Sequence, residues 1–281
     1  MNPTLQKYVS FVKLEHNLFS LPILFAGATL ADNKWPSLHL ISLLILAGIS
    51  ARVVAMILNR IFDRDIDIKN PRTQGRHIPQ GLIKVVEAWV MVVLCLAIYV
   101  FSAWSISDFC LQLSPIPIVA FAVYPFFKRF TKWTHLFLGL VWSMVPLAGF
   151  LAVKSSWDGI APALILGIFS VFWLAGFDII YAVLDEEFDR QSGVHSLPAA
   201  WGHKRALKMA AFFHLIAFLS LTLLYGIWFE GPVTVMLLFM LGVLLLLEHQ
   251  FVQYIDFAFF YINVLISFMV LAFVNAGLRG V

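Results

Sequence analysis

Charge is scarce in this chain: Asp, Glu, Lys and Arg make up 12% of its 281 residues, against 61% hydrophobic. Soluble domains carry about 25% charged residues. The depletion excludes an ordinary water-soluble enzyme and points to a polytopic membrane protein. Cysteine is scarcer still, with only Cys95 and Cys110. Both lie in or beside apolar runs, which excludes a disulfide framework and a thiolate metal site. Low-complexity segments are missing, and so is any stretch polar enough for a soluble domain. Met1–Leu14 has no apolar core and the first span no small-residue cleavage site, so no cleavable signal peptide is expected. The net charge of +3 says little by itself, and no nucleic-acid partner or obligate protein partner is expected.

Long apolar runs, by contrast, fill the chain. A helical span needs about 20 mostly apolar residues. Nine are read, at 15–32, 37–60, 83–104, 108–127, 134–153, 159–182, 207–229, 231–249 and 255–277. The expected fold is therefore all-α, a nine-helix transmembrane bundle forming one domain over 1–281. Basic residues set its orientation. Arg64, Lys69, Arg72 and Arg76 follow span 2, Lys128, Arg129 and Lys132 follow span 4, and Arg190, Lys204, Arg205 and Lys208 follow span 6. The opposite side holds only Lys34, Lys154 and Arg279. Positive residues stay inside, so the N-terminus and the loops after even-numbered spans are expected in the cytoplasm.

Eight of the sixteen acidic residues fall in two short windows at the ends of spans 2 and 6. Asn59, Asp63 and Asp67 are spaced by four, and Asp178, Tyr181, Asp185 and Asp189 by three, four and four. Such spacings place each set on one helical face, while Asp65, Glu186 and Glu187 fall off it. An amide oxygen with carboxylates is hard oxygen ligation, suited to Mg2+, which takes one or two carboxylates and completes its shell with water and substrate phosphates. Asp178 lies inside an apolar run, where a carboxylate costs at least ~2.5–3.5 kcal/mol on insertion scales and normally faces a cavity or a partner. Both windows land on the expected cytoplasmic side. The order of acidic window, His77-x-Pro79, then acidic window, His195-x2-Pro198, hints at an internal duplication of four plus four spans.

Clustered carboxylates and phosphates also need donors. Arg72 and Arg76 follow the first string, and Lys128 lies one helical turn after Tyr124; Arg binds phosphate bidentately and Lys acts as a point charge. Arg52 sits one heptad before Asn59, about 10 Å deeper in the span, where it is placed to meet the carboxylate or phenolic oxygen of a second substrate. Glu15, His16 and Asn17 enter span 1 near the same mouth.

At these residues the chain resembles the UbiA superfamily of intramembrane prenyltransferases. The first family motif, Asn-Asp-x2-Asp-x3-Asp, reads here Asn59-Arg60-Ile61-Phe62-Asp63-Arg64-Asp65-Ile66-Asp67, with Arg60 where the family usually has Asp. The second reads Asp178 to Asp189, and Tyr-x3-Lys appears as Tyr124 to Lys128. The stretch Asn70-Pro71-Arg72-Thr73, with His77, Pro79 and Gly81, resembles the family's loop after the first motif. Text around Glu15-His16 and Asn59-Arg60 looks most like the 4-hydroxybenzoate polyprenyltransferase-like branch, some members of which are thought to act on 1,4-dihydroxy-6-naphthoate in menaquinone synthesis.

The resemblance implies an enzyme of quinone biosynthesis in the bacterial inner membrane. It would take a polyprenyl diphosphate and an aromatic acid, with Mg2+ as cofactor. Asn59, Asp63, Asp67, Asp185 and Asp189 would hold metal. Asp63, Asp67, Asp185, Asp189, Lys128 and Tyr124 would carry catalysis through an allylic cation. Arg52, Arg72, Arg76, Asp178, Tyr181 and Asn17 would bind substrate. The rival class is a membrane transporter, suited by intramembrane Arg52 and Asp178, but that reading expects ionisable residues spread through the midplane rather than gathered at one face.

Overall fold

The structure, a computed structural model, describes residues 3–251 and 258–281, and every regular element among them is helical. Eight helices there are long and apolar enough to cross a membrane. Seven expected spans fall within a few residues of α3 (Leu38–Phe62), α5 (Val85–Ile106), the pair α6 (Asp108–Leu113) and α7 (Pro115–Phe127), α8 (Thr134–Lys154), α9 (Ala161–Ala182), α12 (His203–Trp228) and α13 (Pro232–Gln250). The last expected span begins at 255–257, outside the described residues. It continues as a π-helical turn, Ala258–Ile262, and α14, Asn263–Arg279.

The first expected span is the exception. A short helix, α1 (Pro3–Val12), ends at Lys13, whose backbone is left-handed at φ 49°, and a 3₁₀ turn over Leu14–His16 follows. Only then does α2 run, from Asn17 to Asp32, 16 residues. At 1.5 Å per residue it is about 24 Å long, short of a ~30 Å hydrocarbon core.

The chain divides into two compact units, one of residues 1–17 and 41–126 and the other of 18–40 and 127–281. In the first, Phe11 and Val12 of α1 pack with Val53, Val54, Ile57 and Ile61 of α3 and with Ile83, Ala88 and Val92. The far sides of α5 and α7 expose Val86, Val93, Phe101 and Val119, as lipid-facing helices do.

In the second unit α9 is the buried axis, carrying Leu166, Phe169, Trp173, Phe177 and Ile180 in its interior. Two features bring its helices close. Gly27 of α2 lies on the Pro146 carbonyl of α8, and Gly149 of α8 on the Leu24 carbonyl of α2, with no room for a Cβ at either. Small residues let membrane helices approach this closely. A buried polar network then ties four helices. The Trp173 indole donates to Asn263 Oδ1 (2.8 Å), the Asn263 amide donates to Glu248 Oε1 (2.6 Å), and His249 Nε2 meets His214 Nδ1 (2.9 Å). Away from water such groups must pair with one another.

Ends expected on one side of the bilayer do meet in this unit. Lys154 binds Asp32 at 2.7 Å, and the Thr234 hydroxyl donates to the Val281 carbonyl at 2.8 Å. On the opposite side, His195 N–H donates to the Lys128 carbonyl at 2.7 Å.

Candidate active site

Each acidic string is built on a joint. α3 stops at Phe62, Asp63 takes φ −94° and ψ 0°, and a short helix α4 (Arg64–Lys69) continues. Backbone hydrogen bonds from Asp63 to Asn59 (2.9 Å) and from Asp67 to Asp63 (2.8 Å) keep the helical register across the break. The second string does the same. α9 ends at Ala182, a 3₁₀ turn spans Val183–Asp185, Asp185 takes φ −105° and ψ 3°, and α10 (Glu186–Ser192) follows, then the short α11 (Leu197–Trp201). In both, one Asp occupies the joint and another lies buried a turn later: Asp67 at 4% and Asp189 at 8% exposure. The off-face acids pair with neighbours instead, Asp65 with Arg64 at 3.1 Å and Glu186 with Arg190 at 2.6 Å.

In the first unit Asp63 is 1% exposed and accepts a hydrogen bond from the Asn59 amide at 2.8 Å. That bond uses the Asn59 nitrogen and leaves its oxygen to offer a cation. Asp67 is differently placed. Arg76 donates to both of its oxygens at 2.8 Å, a bidentate pair. Thus Arg76, expected as a phosphate donor, holds an expected metal ligand in this structure. Arg72 is exposed on the loop, its backbone N–H on Asn70 Oδ1 at 2.9 Å. Arg52 donates to His16 Nδ1 at 3.2 Å, and the Asn17 amide caps the Leu14 carbonyl at 2.8 Å. Tyr124, half-buried on α7, belongs to this unit and Lys128 to the other.

The loop carrying Arg76 is fastened by His77, whose Nε2 lies 3.0 Å from the Ser10 hydroxyl. Burial, then the cations Arg60, Lys13 and Lys7, push the His77 pKa below its ordinary 6.5. It is therefore neutral at physiological pH.

In the second unit Asp178 is gripped by His135, whose Nδ1 lies 2.7 Å from Asp178 Oδ2. The Leu197 N–H points to His135 Nε2 at 3.4 Å, so that nitrogen accepts and Nδ1 carries the proton donated to Asp178. Asp189 is hydrogen-bonded to Ser196 and feels the charges of Asp185 and Lys128. Tyr181 and Asp185 are half-buried on the same stretch. His135 and Ser196 escape the sequence reading. Each lies far along the chain from the acids it serves, and a lone His at the start of a span carries no distinguishing pattern.

The donor set bears on metal. No group of three or more His, Cys, Asp or Glu among the described residues is arranged to hold an ion by itself. Asn59 with Asp63, and Asp185 with Asp189, instead offer a few hard oxygens each. That fits Mg2+ shared with phosphate oxygens.

The sequence pattern described as the UbiA prenyltransferase family matches residues 20–258. A 4-hydroxybenzoate octaprenyltransferase of Legionella pneumophila (strain Lens) is 28% identical over 200 residues, covering 71% of this chain and 67% of the relative. Among solved structures, the apo form of a UbiA homologue from Aeropyrum pernix K1 aligns with TM-score 0.81 at 29% identity, over 95% of this chain and 98% of that one. A UbiA homologue from Archaeoglobus fulgidus bound to GPP and Mg2+ shares the fold, with TM-score 0.71 at 20% identity over 97% and 99%.

Proposed function

This chain belongs to the UbiA prenyltransferase family, and on that premise we propose that residues 1–281 form one catalytic domain. It transfers a polyprenyl group from a polyprenyl diphosphate to the ring of an aromatic acid of the 4-hydroxybenzoate type, with Mg2+, at the cytoplasmic side of a bacterial inner membrane. The observation that carries this reading is the repeated joint, which sets Asp63 and Asp185 at the ends of spanning helices with a second Asp one turn on. The basic loops and the names of relatives support the orientation and the acceptor class.

Asn59 with Asp63, and Asp185 with Asp189, are the residues that would hold Mg2+. Bound Mg2+ supplies charge that stabilises the departing diphosphate. The allylic C–O bond breaks with its electron pair leaving on the diphosphate, and the ring carbon of the acceptor attacks the allylic carbon. Lys128 neutralises negative charge beside Asp189. The ring proton then needs a base, and Asp178 serves, because His135 fixes one carboxylate oxygen and leaves the other for the proton. Tyr124 and Tyr181 offer ring faces to the cation. Arg52 meets the acceptor's carboxylate.

Purified protein in detergent with labelled polyprenyl diphosphate, Mg2+ and a panel including 4-hydroxybenzoate and 1,4-dihydroxy-6-naphthoate tests the reading. Wild type prenylates one aromatic acceptor, and Asp63→Asn and Asp185→Asn each lose at least about a thousandfold in kcat. Wild-type activity in either variant would overturn the metal assignment.

A further inference from the structure

Arg60 is the letter at which this chain leaves the family's first motif, and its surroundings are as unusual as its identity. The side chain is 6% exposed, its Nε is fully buried with no hydrogen-bond partner, and the guanidinium makes no hydrogen bond or ion pair among the described residues. The Phe11 ring lies against it, 5.5 Å from the guanidinium carbon. Two carboxylates lie in its neighbourhood, Asp67 and Glu15. Both are engaged elsewhere, Asp67 by Arg76 at 2.8 Å and Glu15 by Lys13 at 3.6 Å. The local balance is basic: Arg60, Lys13 and Lys7 gather around His77, Arg76 lies near Arg60, and Arg52 lies on His16.

A guanidinium this buried is costly, because burial removes most of its water and no described oxygen takes up its hydrogen bonds in exchange. The cost is understandable where an anion arrives to complete the site. Guanidinium presents a planar fork of N–H donors that matches phosphate oxygens. Arg60 is next in the chain to Asn59 and one helical turn before Asp63, the residues that would take the same anion through metal. We propose that Arg60 is a diphosphate-binding residue, donating directly to a phosphate oxygen of the prenyl diphosphate where the family's Asp would bind through a cation. The first string of this chain thus brings its own fixed positive charge to the leaving group and depends less on metal than an all-carboxylate string does. This proposal rests on the prenyl-transfer reading for the identity of the anion.

The test uses full-length protein in detergent and inorganic diphosphate as the probe, first with EDTA and then with Mg2+. Wild type binds diphosphate without Mg2+, and diphosphate raises its melting temperature. Arg60→Gln weakens that metal-free binding by about ten- to a hundredfold, the range for a charge-assisted contact. It leaves the unliganded melting temperature unchanged or higher, because an unpaired buried charge has been removed. In turnover, KM for the prenyl diphosphate rises while KM for the aromatic acid stays within about twofold.

Equal diphosphate binding by wild type and Arg60→Gln overturns the proposal. So does a loss confined to 4-hydroxybenzoate binding, which would give Arg60 to the acceptor's carboxylate. If Arg60→Gln does not fold, Arg60→Lys decides: a diphosphate affinity within about tenfold of wild type upholds the contact, and complete loss from a folded protein ends it. Arg60-dependent diphosphate binding by a wild-type protein that prenylates no acceptor would leave this site standing and remove the prenyl-transfer reading instead.

Discussion

Asp67 and Arg76 show how little a residue's spacing says about its present partner. The four-residue rhythm treats Asp63 and Asp67 alike, yet one is joined to the Asn59 amide and the other to a guanidinium nine residues ahead. Asp67 is nearly buried, so removing Arg76 leaves a carboxylate with little water and without the cation bonded to it. Arg76→Ala is expected to destabilise the protein by about 3 kcal/mol, the low end for a broken buried pair, because Arg76 itself is part-exposed. Adding Asp67→Asn should restore most of that loss, as read by thermal unfolding in detergent. If the single variant melts like wild type, the pair contributes nothing to the fold. His135 teaches the same lesson. The grip on Asp178 spans 43 residues of sequence, and only the packing of α8 against α9 brings it about.

At the level of elements the sequence is far more explicit. Apolar length defined the spans because a helix is the only open segment that satisfies its own backbone in lipid. The joints after Phe62 and Ala182 were not legible. The acidic spacing is consistent with an unbroken helix, and i to i−4 bonds run through the break at Asp63. The shortness of α2 was likewise hidden, since Leu14 and His16 are as compatible with helix as with the turn they form. Contact between α2 and α8 depends on Gly27 and Gly149, each lying on a carbonyl of the other helix. Gly149→Ala is expected to lower stability by about 1–3 kcal/mol, the usual cost of overpacking, and Gly149→Leu to abolish folded protein in size-exclusion profiles. A normal yield and melting temperature for Gly149→Leu would mean the helices separate freely.

On the scale of the molecule, the alternation of basic and non-basic loops gives a topology that labelling can check. In a chain with Cys95 and Cys110 replaced by Ser, single cysteines at Arg129 and Gln191 should react with an impermeant maleimide only from the cytoplasmic side. A cysteine at Asp158 should react only from the opposite side. Arg129, Gln191 and Asp158 are all exposed, so accessibility within the fold does not limit the reaction. Labelling of Gln191 and Asp158 from the same side would overturn the topology. The Lys154–Asp32 pair already joins two of the ends expected on one side.

Composition and periodicity by themselves determined that this chain is a helical membrane protein, where its spans run, and which two windows carry its acids. Those properties follow from transfer free energies and helical geometry, which act on nearest neighbours in sequence. Tertiary structure alone decided which acid is bonded to Asn59, which to Arg76 and which to His135, and left Arg60 buried with no hydrogen bond or ion pair among the described residues. Such pairings depend on which helices pack together, and no local rule of spacing reaches that far.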